Sequence, residues 1–392
     1  MTREAWERAR SSVETSKEVE LYARASQRIR VSIDLSGRLR VDRGTDAGLA
    51  VRAFDARRRT LGFAAATGFD PGQAARAARR AEADAAPFDG ERPWSEGAGM
   101  RNDGLESFPG LPSRDDLAAW LTGALRSSGC NPAEDPWVEA SSTIETSWTR
   151  EGSWTRSRLR IWGIVVSRCV ASPKAEPVPR VVAARCMAAL PADPWPIHGE
   201  AGRVGRMESE SVVFDGEALA ALVPTLVRAL GDKGSSGEAR VGPGWVVSDD
   251  PTHSDASVGG PWDDAGFSAR PVPLADGRTV VGTIGGPGSL RRGSFRDPPE
   301  PAPSLLRVEP PAVAPSRGDV RVVASRIHSL DGRWVMEVDG VDPDGIAFHG
   351  RLVRTGPLEL AARCAGGIGP AIARAGAVVT PALRFEGLRV EG

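Results

Sequence analysis

Between residues 19 and 66 the chain alternates apolar and polar side chains in run after run, the period of half-buried strands, before any helical period begins. Residues 19–25 and 29–35 form the first two runs, Gly37 stands where a turn is expected, and Leu39 with Val41 resumes the alternation. Residues 48–54 and 61–66 follow. Only then does Asp70-Pro71-Gly72 open an alanine-rich helix reaching about Ala86. Asp70 is a natural N-cap, and Pro71 falls in the first turn, where its missing N–H costs nothing. Strands first and a helix afterwards predict an α+β layer and argue against a strand–helix alternation.

At 392 residues the chain exceeds what one core usually organises. Two stretches rich in Gly and Pro, residues 87–112 and 191–205, read as linkers and divide it into blocks at 1–88, 113–192 and 206–392. The central block opens with the capping-box-like Ser113-Arg114-Asp115-Asp116 and a helix over 117–127. It then turns to strands over 137–164, dense in Thr, Ser and Trp. Trp148, Trp154 and Trp162 are sheet-packing residues or line a binding groove, with Trp154 as the groove candidate. In the third block Val212 and Val213 precede a helix over 216–230, whose Leu219, Leu222, Val223, Leu226, Val227 and Leu230 define one buried stripe. Pro224 predicts a kink or a helix in two pieces. Short strand candidates follow at 245–247, 279–284, 305–308, 320–325 and 334–338, then a helix near 358–364 and a final strand over 383–390. The expected fold class is α+β: an N-terminal sheet-plus-helix region and a C-terminal β-rich, barrel-like domain.

Lys and Arg number 50 against 51 Asp and Glu, so no broad field for nucleic acid phosphates is expected, although a local basic face stays open. Cys130, Cys169, Cys186 and Cys364 are far apart and suit neither a disulfide framework nor a Cys-rich zinc site. Met1 to Arg10 is charged and lacks the apolar core of a secretory signal. No apolar run approaches the roughly 20 residues that span a bilayer. A soluble cytoplasmic protein with reduced thiols is the expectation.

Several short segments, in order, resemble the TldD/PmbA family, whose PmbA branch is also called TldE. Gly48-Leu-Ala-Val-Arg52 followed by Gly62-Phe63-Ala64 is similar to the family's N-terminal segment, and Val212-Val-Phe-Asp215 to the entry into its C-terminal domain. Asp249-Asp250-Pro251 and Asp263-Asp264-Ala265-Gly266 resemble two further segments, the second departing at Ala265, where a glutamate is usual. Pro303-Ser304-Leu305 and Thr380-Pro381 complete the series. In the TldD branch the helix opening the C-terminal domain carries H-E-x-x-x-H, which holds a zinc ion that activates water. The corresponding helix here, from Glu217 to Arg228, has no histidine, and Glu217 is its only carboxylate.

The resemblance therefore implies a metal-free, TldE-like subunit with no cofactor of its own. It would pair with a TldD-like chain that holds zinc, the heterodimer cleaving unfolded or precursor peptides. An extended peptide can bind in such a cavity by adding a strand. Two alternatives stay open: an independent metal-free enzyme, or a peptide-binding scaffold in natural-product biosynthesis.

No other catalytic constellation is visible. His198, His253, His328 and His349 lie in different segments, and no pair has the spacing of a helical metal site. Cys364 falls in an Ala-rich run read as helical and suits a buried small hydrophobe. Gly288-Ser289 completes no nucleophile elbow, and Gly367-Ile-Gly369 lacks the strand–helix–strand unit of a dinucleotide loop. His253 near Asp249 and Asp250 reads as a solvated turn residue, or as part of a loop metal site or acid/base pair. Asp263 and Asp264 stabilise the turn before Gly266, or hold a cation or peptide N–H groups. No catalytic residue is assigned. Asp249, Asp250, His253, Asp263, Asp264 and Trp154 are the candidate peptide-cavity residues.

Overall fold

The computed structural model describes residues 3–13, 18–90, 93–94, 108–128, 135–167, 178–184, 186–191, 211–233, 245–256, 260, 262–277, 279–282, 284, 289–330, 333–352, 357–374, 378–388 and 390–391. Most of both linker segments, together with His198, Cys130 and Cys169, lies outside the described residues.

Two sheets organise the molecule. The first contains β1 (Glu18–Ile33), β2 (Leu39–Asp55), β3 (Thr60–Thr67), β4 (Ala86–Pro87), β5 (Trp137–Trp148), β6 (Ser153–Ser167) and β7 (Val178–Ala184). Its order is β4-β3-β2-β1-β5-β6-β7, antiparallel throughout. The expected runs at 19–25 and 29–35 fuse into β1, and those at 39–41 and 48–54 into β2, because the two strands pair without a break from Glu18↔Phe54 to Ile33↔Leu39. The strands of blocks 1–88 and 113–192 also share this one sheet, since β1 pairs β5 from Leu21↔Trp148 to Ser32↔Trp137. That pairing joins residues more than a hundred positions apart, which local periodicity does not report.

Three helices cover one face of the sheet: α1 (Arg3–Ser12), α2 (Pro71–Ala83) and α3 (Arg114–Ser128). The Asp70 side chain accepts from Gln73 N, the N-cap that the sequence predicts. Ser113 and Asp116 bond reciprocally at the start of α3: Asp116 N donates to Ser113 Oγ (3.0 Å), and Ser113 N to Asp116 Oδ2 (3.2 Å). Trp6, Leu21, Leu49, Val51 and Ala77 build one core under α1 and α2, and Ile29, Val31, Leu121, Val138 and Ile161 another under α3. Helix α2 comes close enough that a Cβ on Gly62 of β3 would lie 1.6 Å from Ala81 O. Because strand side chains alternate, the residues between these core positions all project to the opposite face.

The second sheet holds β8 (Ser211–Phe214), β9 (Trp245–Asp249), β10 (Val272–Gly277), β11 (Thr279–Val280), β14 (Leu306–Glu309), β15 (Val320–Leu330), β16 (Arg333–Val341), β17 (Ala347–Leu352), β18 (Cys364–Arg374), β19 (Val378–Glu386) and β20 (Val390–Glu391). A short pair, β12 (Leu290–Arg291) and β13 (Glu300–Pro301), stands apart. The path runs from β11 to β20 without closing, so among the described residues the β-rich domain is an open sheet and not a barrel. Helix α4 (Glu217–Lys233) lies against it with Leu219, Leu222, Val223, Leu226 and Val227 buried, as the stripe predicts; the Leu230 side chain lies outside the described residues. The helix continues through Pro224 as one element and is not in two pieces. Helix α5 (Pro357–Ala362) is shorter than expected, and Cys364 opens β18 instead of lying in a helix. Its burial is as predicted, beside Leu360 and Phe385 in the same core. The strand reading was missed because β18 is rich in Gly and Ala, whose side chains carry little β signal.

Candidate functional site

The face of the first sheet turned away from the helices is charged, and residues 262–264 and 292–296, within the 262–305 stretch, dock onto part of it. Glu20 of β1 is almost fully buried. It accepts Arg52 Nε (2.6 Å) and Ser147 Oγ (2.9 Å) from its own sheet and Arg292 Nη2 (2.8 Å) from the docked segment. Burial alone would raise this carboxyl, but Arg52 and Arg292 outweigh it and hold the pKa below the usual range. One strand along, Glu145 of β5 accepts Tyr22 Oη (2.8 Å) and Arg156 Nε (2.5 Å). It too is held below the usual carboxylate range, as Arg156, Arg158 and Arg24 overcome its burial. Arg156 reaches across to Asp264, so a single guanidinium ties the two domains together.

Apolar contacts reinforce the joint. Tyr22, Ala50, Trp154 and Phe295 form one buried cluster with Phe63 and Trp262 packed beside it. The Arg292 guanidinium lies 4.3 Å above the Tyr22 ring and that of Arg156 4.7 Å above Trp154. At the rim Arg24 Nη1 donates to Gly293 O (2.8 Å), and Arg296 grips Asp46 with two bonds of 3.0 Å.

Of the six candidates from the sequence, this joint brings together Trp154, Asp263 and Asp264. Asp263 holds its own turn with Oδ1, accepting Ala265 N and Phe267 N (2.9 Å each), while Oδ2 accepts Leu290 N (3.2 Å) from a later segment. Asp264 accepts Arg292 N (2.6 Å) besides the Arg156 guanidinium. Buried Asp249 stands behind them: its Oδ1 accepts Ser304 N (2.8 Å) and Leu305 N (3.0 Å), and Ser304 Oγ accepts Arg291 Nε (2.8 Å). Burial is the chief cause that raises its carboxyl pKa. Asp250 and His253 lie apart in a turn, Asp250 accepting Thr252 N (3.0 Å) and His253 Nδ1 accepting Asp255 N (3.2 Å). Sequence reading missed Glu20, Arg52, Glu145, Arg156 and Arg292. The available signal was period-two charge, as in Arg156-Ser-Arg158-Leu-Arg160, on strands whose alternate residues are apolar.

Helix α4 does not fit a metal. Its core-facing positions are aliphatic, and among the described residues no group of three or more His, Cys, Asp or Glu could hold an ion. His349 is buried with Nδ1 2.8 Å from Asp339 Oδ1 and Nε2 3.6 Å from Glu337 Oε2. Burial opposes its charge, but the two carboxylates prevail and push the pKa up to about 9.

These features define an α+β protein built on two main sheets: a helix-backed antiparallel sheet, clamped by buried ion pairs to an open mixed sheet with an apolar helix on it. TldE from Thermococcus kodakarensis has this fold; it superposes with a TM-score of 0.73 over 99% of this chain and 100% of that one, at 15% identity. A protein from Thermotoga maritima described as a proposed modulator of a DNA gyrase gives a TM-score of 0.70 at 12% identity, covering 99% of both chains. A similarly described protein from Bacteroides thetaiotaomicron gives 0.65 at 11%, covering 100% of this chain and 99% of that one. No family model and no curated protein matches the sequence. The resemblance to the TldD/PmbA family is thus met at the level of the fold. Among the described residues no helix is long and apolar enough to cross a membrane.

Proposed function

We propose that this chain is the non-catalytic, TldE-like subunit of a heterodimeric metalloprotease, shaping the cavity through which unfolded or precursor peptides reach a metal held by a TldD-like partner. The observation that carries this reading is the end-to-end correspondence of fold with TldE, combined with a helix α4 whose ligand-bearing face is replaced by a buried aliphatic stripe. Such a helix supports the sheet, and its buried stripe offers no ligand to a zinc ion. The clamped joint between the domains supplies rigid walls, which a cavity presenting peptide to a distant metal requires.

An independent metal-free enzyme is less well supported. Both histidine and cysteine candidates in the core are unsuited to neutral-pH catalysis: His349 is held as an imidazolium, and burial pushes the Cys364 thiol up. Coexpression with a TldD-like chain tests the proposal. The two chains should copurify in equal amounts with zinc bound to the partner alone. A chain that purifies by itself and cleaves peptides unaided would overturn it.

A further inference from the structure

Among the described residues the docked segment covers only one end of the charged sheet face. Across β6, β5 and β1 the side chains form rows: Arg156–Glu145–Arg24, then Arg158–Thr143–Ser26, then Arg160–Ser141–Arg28, then Trp162–Glu139–Arg30. The first row lies under Asp264 and Gly293. The next two rows make a trough floored by hydroxyls and walled by guanidiniums. Arg160 and Arg28 are exposed. Arg160 makes no ion pair among the described residues; its guanidinium lies 5.6 Å from the Trp162 ring. Arg28 has carboxylates only at 3.7 Å (Asp42) and 3.9 Å (Glu139). The Ser141 and Thr143 hydroxyls have no hydrogen bond among the described residues. In these four rows six guanidiniums face two carboxylates, and an excess of seven over five remains when Asp42, Asp46, Asp264 and Arg296 at the rim are counted.

We propose that this trough binds an extended peptide carrying acidic side chains at alternate positions. Arg158, which already pairs with Glu145 at 3.1 Å and lies 3.6 Å from Asp264, and the open Arg160 are two residues apart on one strand, hence roughly 6.6–6.8 Å from each other along it. An extended peptide lying along β6 repeats its own side chains at the same interval, so each carboxylate meets a guanidinium, a pairing that Arg makes in two-pronged geometry. The floor hydroxyls face the peptide's amides. A single-stranded nucleic acid suits the trough less well, since its two middle rows offer guanidiniums and hydroxyls but no aromatic ring for a base to stack on. The proposal rests on the peptide-handling reading above and supplies its substrate class.

The test is direct binding to the full chain alone, without any partner. A labelled, unstructured peptide with Glu at every second position is compared with its Gln counterpart and with a single-stranded oligothymidylate. The Glu peptide should bind about tenfold more tightly than the Gln peptide at low salt, an advantage that salt erodes. Arg28→Glu and Arg160→Glu should each remove most of that advantage at an unchanged melting temperature, and Arg160→Lys should keep most of it. Equal binding of Glu and Gln peptides to the wild-type chain would overturn the proposal whatever the variants do. So would tighter binding of oligothymidylate through the same arginines. Because no cleavage is read, failure here leaves the paired-subunit reading standing, and absence of a partner leaves this one standing.

Discussion

Phe295 of the second domain rests on Gly48 of the first, so closely that a Cβ at position 48 would stand 2.1 Å from ring atom Cε2. The glycine is there because the ring occupies the space a side chain would fill. Gly48→Val should therefore push the ring away and open the joint, at a cost of about 1–3 kcal/mol, typical of overpacking. Phe295→Ala should also destabilise, by about 3–5 kcal/mol through the cavity it leaves. Denaturant unfolding measures both. Added together in one chain, the two changes should cost less than their sum, since removing the ring relieves part of the clash and leaves the approach to Ala66 O at 2.6 Å.

Arg156 serves two carboxylates, one in each domain. Asp264→Ala should leave a buried guanidinium half-paired, at a cost of about 3–5 kcal/mol, the usual penalty for breaking a buried pair from one side. Proteolysis should then cut the 262–305 segment faster than in the wild-type chain. Unchanged protection would mean that the aromatic cluster alone holds the joint.

Stability should fall off on both sides of neutrality, for different reasons. Glu20 and Glu145 have lowered pKa values in the folded chain, so their contribution is present above the ordinary carboxyl value of 4.5 and is lost as pH falls through the folded values. His349 is raised from 6.5 to about 9, so its contribution is full below 6.5 and is lost as pH rises through 9. The ion-pair clamp should thus loosen in acid and the β16–β17 region in alkali. Thermal melts across pH check this, and Asp339→Asn should weaken the alkaline dependence.

Helix α4 has a structural duty. Leu222→Ala should destabilise the chain by about 2–5 kcal/mol, as for other buried leucines. It should leave the zinc content of a reconstituted pair unchanged. A drop in bound zinc without loss of folding would place this helix at the metal.

Local order was legible in the sequence where it is encoded locally. The Asp70 cap, the Ser113–Asp116 box and the α4 stripe all rest on residues within a turn or two of each other. The pairing of β1 with β5 and the docking of residues 262–305 depend on partners far along the chain. For that reason Asp263 and Asp264 could be singled out as a motif while their roles, a turn and a clamp, stayed hidden. Cys364 misled because it follows the helix-favouring run Leu358 to Ala362 so closely that a helical reading extends into it.

The central claim is that catalysis needs this chain but none of its own ligands. The most direct measurement is peptide cleavage by a reconstituted pair in which this chain carries His198→Ala, His253→Ala and His328→Ala, with His349→Gln assayed near neutral pH, where the fold is checked first. The account predicts that neither chain cleaves alone and that the substituted pair retains zinc-dependent cleavage close to wild type. Loss of cleavage with folding and pairing intact, or full cleavage by the partner without this chain, would contradict it.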